Sequence, residues 1–167
     1  TDHRLLDQAT EILERVFDTR SASRHEPSML FNYALVLQKQ ARRNAGEANR
    51  LEAFAARAGV IGEAAKIEEH RRIAKDRFDR GHGLLRVLIE RGELLRMCYY
   101  RLLLGAHDNG NVADITKHSK AYFERVDLEQ KRAKAEVQRT NEPGYERDQK
   151  VQLARLRTEE LNLRTLL

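Results

Sequence analysis

Apolar positions recur along most of this chain at intervals of three and four, the spacing that gathers them on one face of a helix. Between positions 2 and 19, Leu5, Leu6, Ala9, Ile12, Leu13, Val16 and Phe17 share such a face and predict an amphipathic helix. A polar connector over 20–26 contains Ser21 and Ser23. Pro27 then stands where a first helical turn tolerates proline, because the missing N–H would have no helical partner there. The second helix is predicted from Pro27 to about Ala45, and the stretch 28–43, S-M-L-F-N-Y-A-L-V-L-Q-K-Q-A-R-R, carries its pattern. Leu30, Tyr33, Ala34 and Leu37 set one small residue among large ones, so a neighbouring helix can approach at Ala34 while the large side chains fill the space around it.

Gly46 predicts a break or kink. From 47 to 80, Leu51, Phe54, Ala55, Ala58, Ile61, Ala64, Ala65, Ile67, Ile73, Ala74 and Phe78 predict one long helix, or two in line with Gly59 and Gly62 as the joint. Gly81-His82-Gly83 reads as a turn. The most apolar stretch, 84–104, predicts the most buried helix, with Gly92 inside it. Its arginines at 86, 91, 96 and 101 rotate past one another at helical pitch, so they spread around the helix and snorkel at the edges of a buried face. Positions 105–111, G-A-H-D-N-G-N, read as a loop on turn chemistry. Asp114 is then expected to cap a helix reaching about Arg139, with Ile115, Tyr122, Val126, Ala133 and Val137 as a thinning seam.

Pro143-Gly144 interrupts that helix, and 145–167 resumes it with Val151, Leu153, Leu156, Leu161, Leu163 and Leu167. This apolar face is too narrow to bury itself in a globule, so the tail is expected to project or to lie on a partner. The chain therefore divides into a helix-pair region, 1–113, and a charged projecting helix, 114–167, broken near 141–144. A chain opening on Thr1 reads as a piece of a longer protein, and its start is silent on targeting signals.

Composition agrees with an all-α fold. Glycine and proline number 9 and 2 in 167 residues, and straight-chain helix formers dominate. The net charge of +5 permits an acidic partner, but both signs are interspersed and predict a solvated surface. Cys98, the one cysteine, excludes an internal disulfide and suits a reducing compartment. A membrane span is not expected, because Arg86, Glu90, Arg91, Glu93, Arg96 and Arg101 break the most apolar stretch.

Catalytic vocabulary is sparse. The histidines at 3, 25, 70, 82, 107 and 118 form no HExxH motif and no cluster with cysteine. Glu68, Glu69 and His70 are adjacent, which on a helix points them apart and defeats a di-iron arrangement. His107 and Asp108 read as solvated loop residues. Gly81-His82-Gly83 lacks the lysine and preceding strand of a phosphate loop. Cys98 has no base beside it and sits in the most apolar stretch. The expectation is a non-enzyme with no catalytic residue, metal or cofactor. The basic runs Arg42-Arg43, Arg71-Arg72 and Lys131-Arg132 with Lys134 could contact phosphates, though interleaved glutamates weaken each.

The order Leu30, Tyr33, Ala34 and Leu37 resembles a tetratricopeptide repeat, with Ala9, Leu13 and Val16 in the second-helix positions of a preceding repeat. Within that class, M-L-F-N-Y-A-L-V-L-Q at 29–38 is similar to the last repeats of the Ctr-nine scaffold family of the Paf transcription elongation complex, whose members carry a similar phenylalanine, asparagine and A-L-V-L-Q helix. The order downstream is also similar. A long helix with Ala74 and Phe78 is followed by a glycine leading a basic-apolar helix at 92–97, and Tyr122 opens a charged helix over 123–139.

The resemblance runs roughly from 5 to 139. It implies a tetratricopeptide-like helix-pair solenoid fragment followed by a long charged helix. It also implies a nuclear, non-catalytic scaffold that binds partner subunits and helps its complex engage RNA polymerase II. It carries over no catalytic residues and assigns no contact residues. Two other classes stay open. One is an unrelated helical adaptor or coiled-coil module, cytoskeletal or secretory, built on the 145–167 seam. The other is a weak nucleic-acid-binding helical domain using Arg42, Arg43, Arg71 and Arg72.

Overall fold

A computed structural model describes residues 2–18, 26–58 and 62–139, with positions 150, 154 and 158. The fold is all-α. Among the described residues there are five helices: α1 (Asp2–Asp18), α2 (Pro27–Ala58), α3 (Ala64–Glu90), α4 (Leu95–Asp108) and α5 (Val112–Arg139). They form two compact units that divide between Leu94 and Leu95, whereas the charge-based boundary at 113/114 falls in the first turn of α5. The expected break near 141–144 and the helix over 145–167 lie outside the described residues, save for the isolated positions 150, 154 and 158.

In the first unit, α2 and α3 form an antiparallel pair. Arg80 donates to the Tyr33 hydroxyl at 2.9 Å near one end, and His70 Nδ1 lies 3.0 Å from Asn44 Oδ1 further along. Rising partner numbers on one helix thus meet falling numbers on the other. Of all described positions, Gly81 shows best why the two approach so closely. A Cβ placed there would stand 3.2 Å from the Ala34 carbonyl oxygen and 3.4 Å from Leu37 Cβ. The expected small residue, Ala34, therefore meets a still smaller one.

Four expectations are corrected here. Gly46 does not break α2, which runs unbroken for 32 residues. The single glycine costs about 1 kcal/mol in helix propensity, and the buried Ala41 and Ala48 on either side keep the helix packed through it. The 47–80 stretch is neither one helix nor two in line. Its two arms lie side by side, reversing between Ala58 and Ala64. Gly81-His82-Gly83 is not a turn but lies inside α3, where the His82 ring also rests 4.0 Å from that of Phe78, one turn earlier. Finally, Gly92 is not inside a helix; it ends one.

Both α3 and α4 stop by the same device. Gly92 and Gly110 have φ of +72° and +63°. Gly92 N–H donates to Ile89 O and Glu93 N–H to Leu88 O, each at 2.9 Å. Gly110 N–H donates to His107 O and Asn111 N–H to Ala106 O, each at 3.0 Å. These are paired Schellman closures, which satisfy the last carbonyls and need a left-handed residue. The loop expected over 105–111 shrinks accordingly, because α4 continues through the buried Gly105 and Ala106 to Asp108. Asn111 then caps α5 in place of Asp114. Its Oδ1 accepts the Asp114 N–H at 3.1 Å, and its Nδ2 donates to the Asp114 carboxylate at 2.8 Å.

The second unit pairs α4 with α5 around Leu103, Tyr122 and Val126. Tyr99, Tyr100, Leu104, Ile115 and Phe123 pack about that centre, with Tyr122 edge-on to Phe123 at 5.4 Å. Arg96, in the first turn of α4, donates to Glu129 of α5 at 2.9 Å. The 84–104 stretch, expected as one buried helix with its arginines spread around it, is instead divided between α3 and α4 by the Gly92 closure. Arg86 is exposed, Arg96 and Arg101 are half-buried, and Arg91 donates to Glu93 at 3.1 Å.

The glycines separate cleanly by environment. Gly83 lies in α3 with open space where its Cβ would go, so Gly83→Ala is expected to stabilise the chain by about 0.5–1 kcal/mol. Gly81→Leu must force α2 and α3 apart and is expected to destabilise it by about 1–3 kcal/mol. Gly110→Ala places a Cβ on a left-handed residue and should cost about 1 kcal/mol. Urea denaturation of the three variants checks the order; a stabilising Gly81→Leu would refute the close crossing.

Candidate interaction surface

Leu30, Tyr33, Ala34 and Leu37 are all buried on α2. Tyr33 is the corner at which the three helices of the first unit meet. Its ring stacks on Phe17 of α1, with centroids 4.6 Å apart and planes 26° from parallel. Its hydroxyl accepts the bond from Arg80 of α3. Glu14 of α1 in turn takes a hydrogen-bonded ion pair from Arg77 and a second contact from Arg80 at 3.5 Å. Further along, Arg43 Nη1 donates to both Asp7 oxygens, at 2.8 and 3.0 Å. Two carboxylates one heptad apart on α1 thus meet arginines of both α2 and α3.

The hydrophobic pattern of α1 is broader than one seat requires. Leu6 and Thr10 are buried and Leu13 and Phe17 half-buried on the inward side. Leu5, Ile12 and Val16 form a second stripe that remains 61%, 62% and 38% exposed. Their spacing of seven and four puts them on one line along the helix. Phe54, 58% exposed, is a separate apolar side chain on α2, where no described residue past Ala48 is buried.

The expected basic contacts are brought to one level of the α2–α3 pair, since Arg42 and Arg43 flank the position where Asn44 meets His70, beside Arg71 and Arg72. Carboxylates already sit against this group. Arg43 pairs with Asp7, Arg71 with Glu52 across the helix pair at 2.8 Å, and Arg72 with Glu69 at 2.8 Å. Its hydrogen bond to Arg72 holds the Glu69 carboxyl below its ordinary range, and the same bond raises Arg72. A phosphate would have to compete with these carboxylates. Exposed pairs of this kind are largely screened by solvent and weaken with salt.

Among the described residues, no group of three His, Cys, Asp or Glu side chains could hold a metal ion. Glu69 and His70 point to different partners, Arg72 and Asn44. His107 and Asp108 are exposed in the last turn of α4. Cys98 is buried on α4, and burial pushes its thiol up to about 12 from an ordinary 9.0. No described helix is long and apolar enough to cross a membrane.

Sequence reasoning missed Asp7, Glu14, Arg77 and Arg80 because each looks like an ordinary solvated charge. The available signal was positional: Asp7 and Glu14 lie on one flank of the Leu6, Thr10, Leu13 and Phe17 stripe. Comparison of the chain with protein-family models, with curated proteins and with solved structures finds no match.

The Cys98 thiol has a direct consequence. Its folded pKa lies above the unfolded one, so folding retains the proton more tightly between the two values. Stability from this group is complete below about pH 9 and declines as pH rises toward 12. Thiol labelling of the native chain at pH 8 should accordingly be far slower than in denaturant; equal rates would show an accessible thiolate.

Proposed function

We propose that this chain is a non-catalytic helical scaffold, part of a tetratricopeptide-like solenoid that binds partner subunits of the Paf transcription elongation complex in the nucleus. The observation that carries a scaffold role is the outward stripe of Leu5, Ile12 and Val16 on α1. A helix with apolar residues on two sides belongs between two neighbours, and stacking of helix pairs is how solenoids bury such residues. The similarity of 29–38 to the Ctr-nine family supports the choice of complex. The burial of Leu30, Tyr33, Ala34 and Leu37, the residues that carry the tetratricopeptide resemblance, supports the helix-pair part of the reading.

One feature departs from a standard repeat. A repeat of roughly 34 residues holds two helices and a turn, whereas α2 and α3 here have 32 and 27 residues each. Such an extended pair suits a terminal element that reaches out of a stack. In this reading hydrophobic anchors supply affinity, arginines tune partner choice, and RNA polymerase II is engaged through the assembled complex.

Affinity purification of the tagged natural chain from nuclear extract in mild salt is expected to recover the other complex subunits and polymerase. Their reproducible absence refutes the assignment to that complex. Leu5→Glu with Ile12→Glu should reduce recovery while leaving thermal stability nearly unchanged, because exposed positions tolerate such changes within about 0.5 kcal/mol. Undiminished recovery would show that the outward stripe carries no partner.

A further inference from the structure

We propose that the face of the α2–α3 pair bearing Tyr33, Arg43, Arg77 and Arg80 is a docking surface for acidic amphipathic helices, filled in cis by α1 and opened when a partner helix of the same chemistry displaces it. The inference goes beyond the scaffold reading and does not depend on membership of any complex. Its partner is a helix with two carboxylates one heptad apart on the flank of an apolar stripe, and an aromatic residue three positions after the second carboxylate.

The argument rests on what holds α1 and on what does not. Among its described residues only Leu6 and Thr10 are buried, whereas α2 buries nine. Thr10 makes no demand on the pair, because its hydroxyl donates to Leu6 O of its own helix at 2.8 Å. Specific contact comes instead from charge and one ring: Asp7 on Arg43, Glu14 on Arg77 and Arg80, and Phe17 on Tyr33.

Both carboxylates meet basic side chains, and those basic side chains come from two helices fixed to each other by the Gly81 crossing. The arginines are thus a preformed feature of the pair, and α1 supplies their complement. The Arg43–Asp7 pair keeps much of its solvent exposure, with side chains 34% and 54% exposed, while Arg77 and Glu14 are more enclosed at 22% and 32%. Such pairs select and orient a partner more than they hold it. A weakly held cis occupant lowers the apparent affinity of a competing helix by the fraction of time the site is open, so loosening α1 must strengthen binding in trans.

The test uses the full chain and a fluorescent peptide of residues 2–18, read by anisotropy. A chain carrying Phe17→Ala and Asp7→Lys is expected to bind the native peptide about tenfold more tightly than the unaltered chain does. A peptide with Asp7→Arg and Glu14→Arg should not bind, and raised salt should weaken the native peptide. Absence of binding by the loosened chain with its helical circular dichroism intact would overturn the proposal, as would equal binding of both peptides. Hydrogen exchange on the unaltered chain guards against a variant that fails to fold. Amides of α1 must exchange at least about tenfold faster than those of α2 and α3; exchange in step with the pair would make α1 a fixed part of the fold and overturn the docking surface.

Discussion

At Gly81 the backbones of α2 and α3 come together with no side chain between them. The Ala34 carbonyl oxygen stands where any larger residue would need room. That crossing sets the register of the pair, and the register decides which distant residues become neighbours. Arg80 can reach the Tyr33 hydroxyl, and His70 can face Asn44, only because the helices are locked at that point and run oppositely from it. Closeness of this kind is unforgiving, since helix surfaces pack at fixed separations set by the side chains between them. A glycine in mid-helix is unfavourable locally, and the packing it permits offsets that loss.

The seat of α1 depends on the same lock. Arg43 belongs to α2 while Arg77 and Arg80 belong to α3, so the charges that meet Asp7 and Glu14 exist as a set only in the assembled pair. Among its described residues α1 buries only Leu6 and Thr10, and it keeps a second apolar stripe turned outward. It is a helix suited to contacts on two sides: an inward one that sets the Leu6, Leu13 and Phe17 stripe beside the Asp7 and Glu14 ion pairs, and an outward one carrying the apolar stripe of Leu5, Ile12 and Val16. The scaffold reading uses the outward side and the displaceable-helix reading the inward side, so the two assign different chemistry to the same short element.

The second unit is held by a different logic. Its short α4 and longer α5 are joined by a turn in which every residue has a defined backbone task. Gly110 supplies the left-handed step, and Asn111 closes α4 with its N–H while capping α5 with its side chain. The aromatic group about Tyr122 then fills the interface. Cys98, buried in this unit, serves as a small apolar side chain whose ionisation the interior opposes.

Much of the local order was legible in the chain. The periodicity of α1, the start at Pro27, the buried face at Leu30, Tyr33, Ala34 and Leu37, and the seam through Tyr122 and Val126 all follow from residue spacing, because a helix buries whatever its pitch gathers on one side. Glycine defeated the same reasoning. Gly46, Gly81 and Gly83 lie inside helices, whereas Gly92 and Gly110 end them. A glycine is compatible with either role, and only the neighbouring helix or the closing hydrogen bonds select one. Charge was illegible for a related reason: Asp7, Glu14, Arg77 and Arg80 resemble any solvated side chain until the antiparallel pair brings them together. The sequence by itself determined an all-α chain and which faces its helices bury. The tertiary structure alone decided where those helices reverse and which charges meet, because both depend on contacts between residues far apart in the chain.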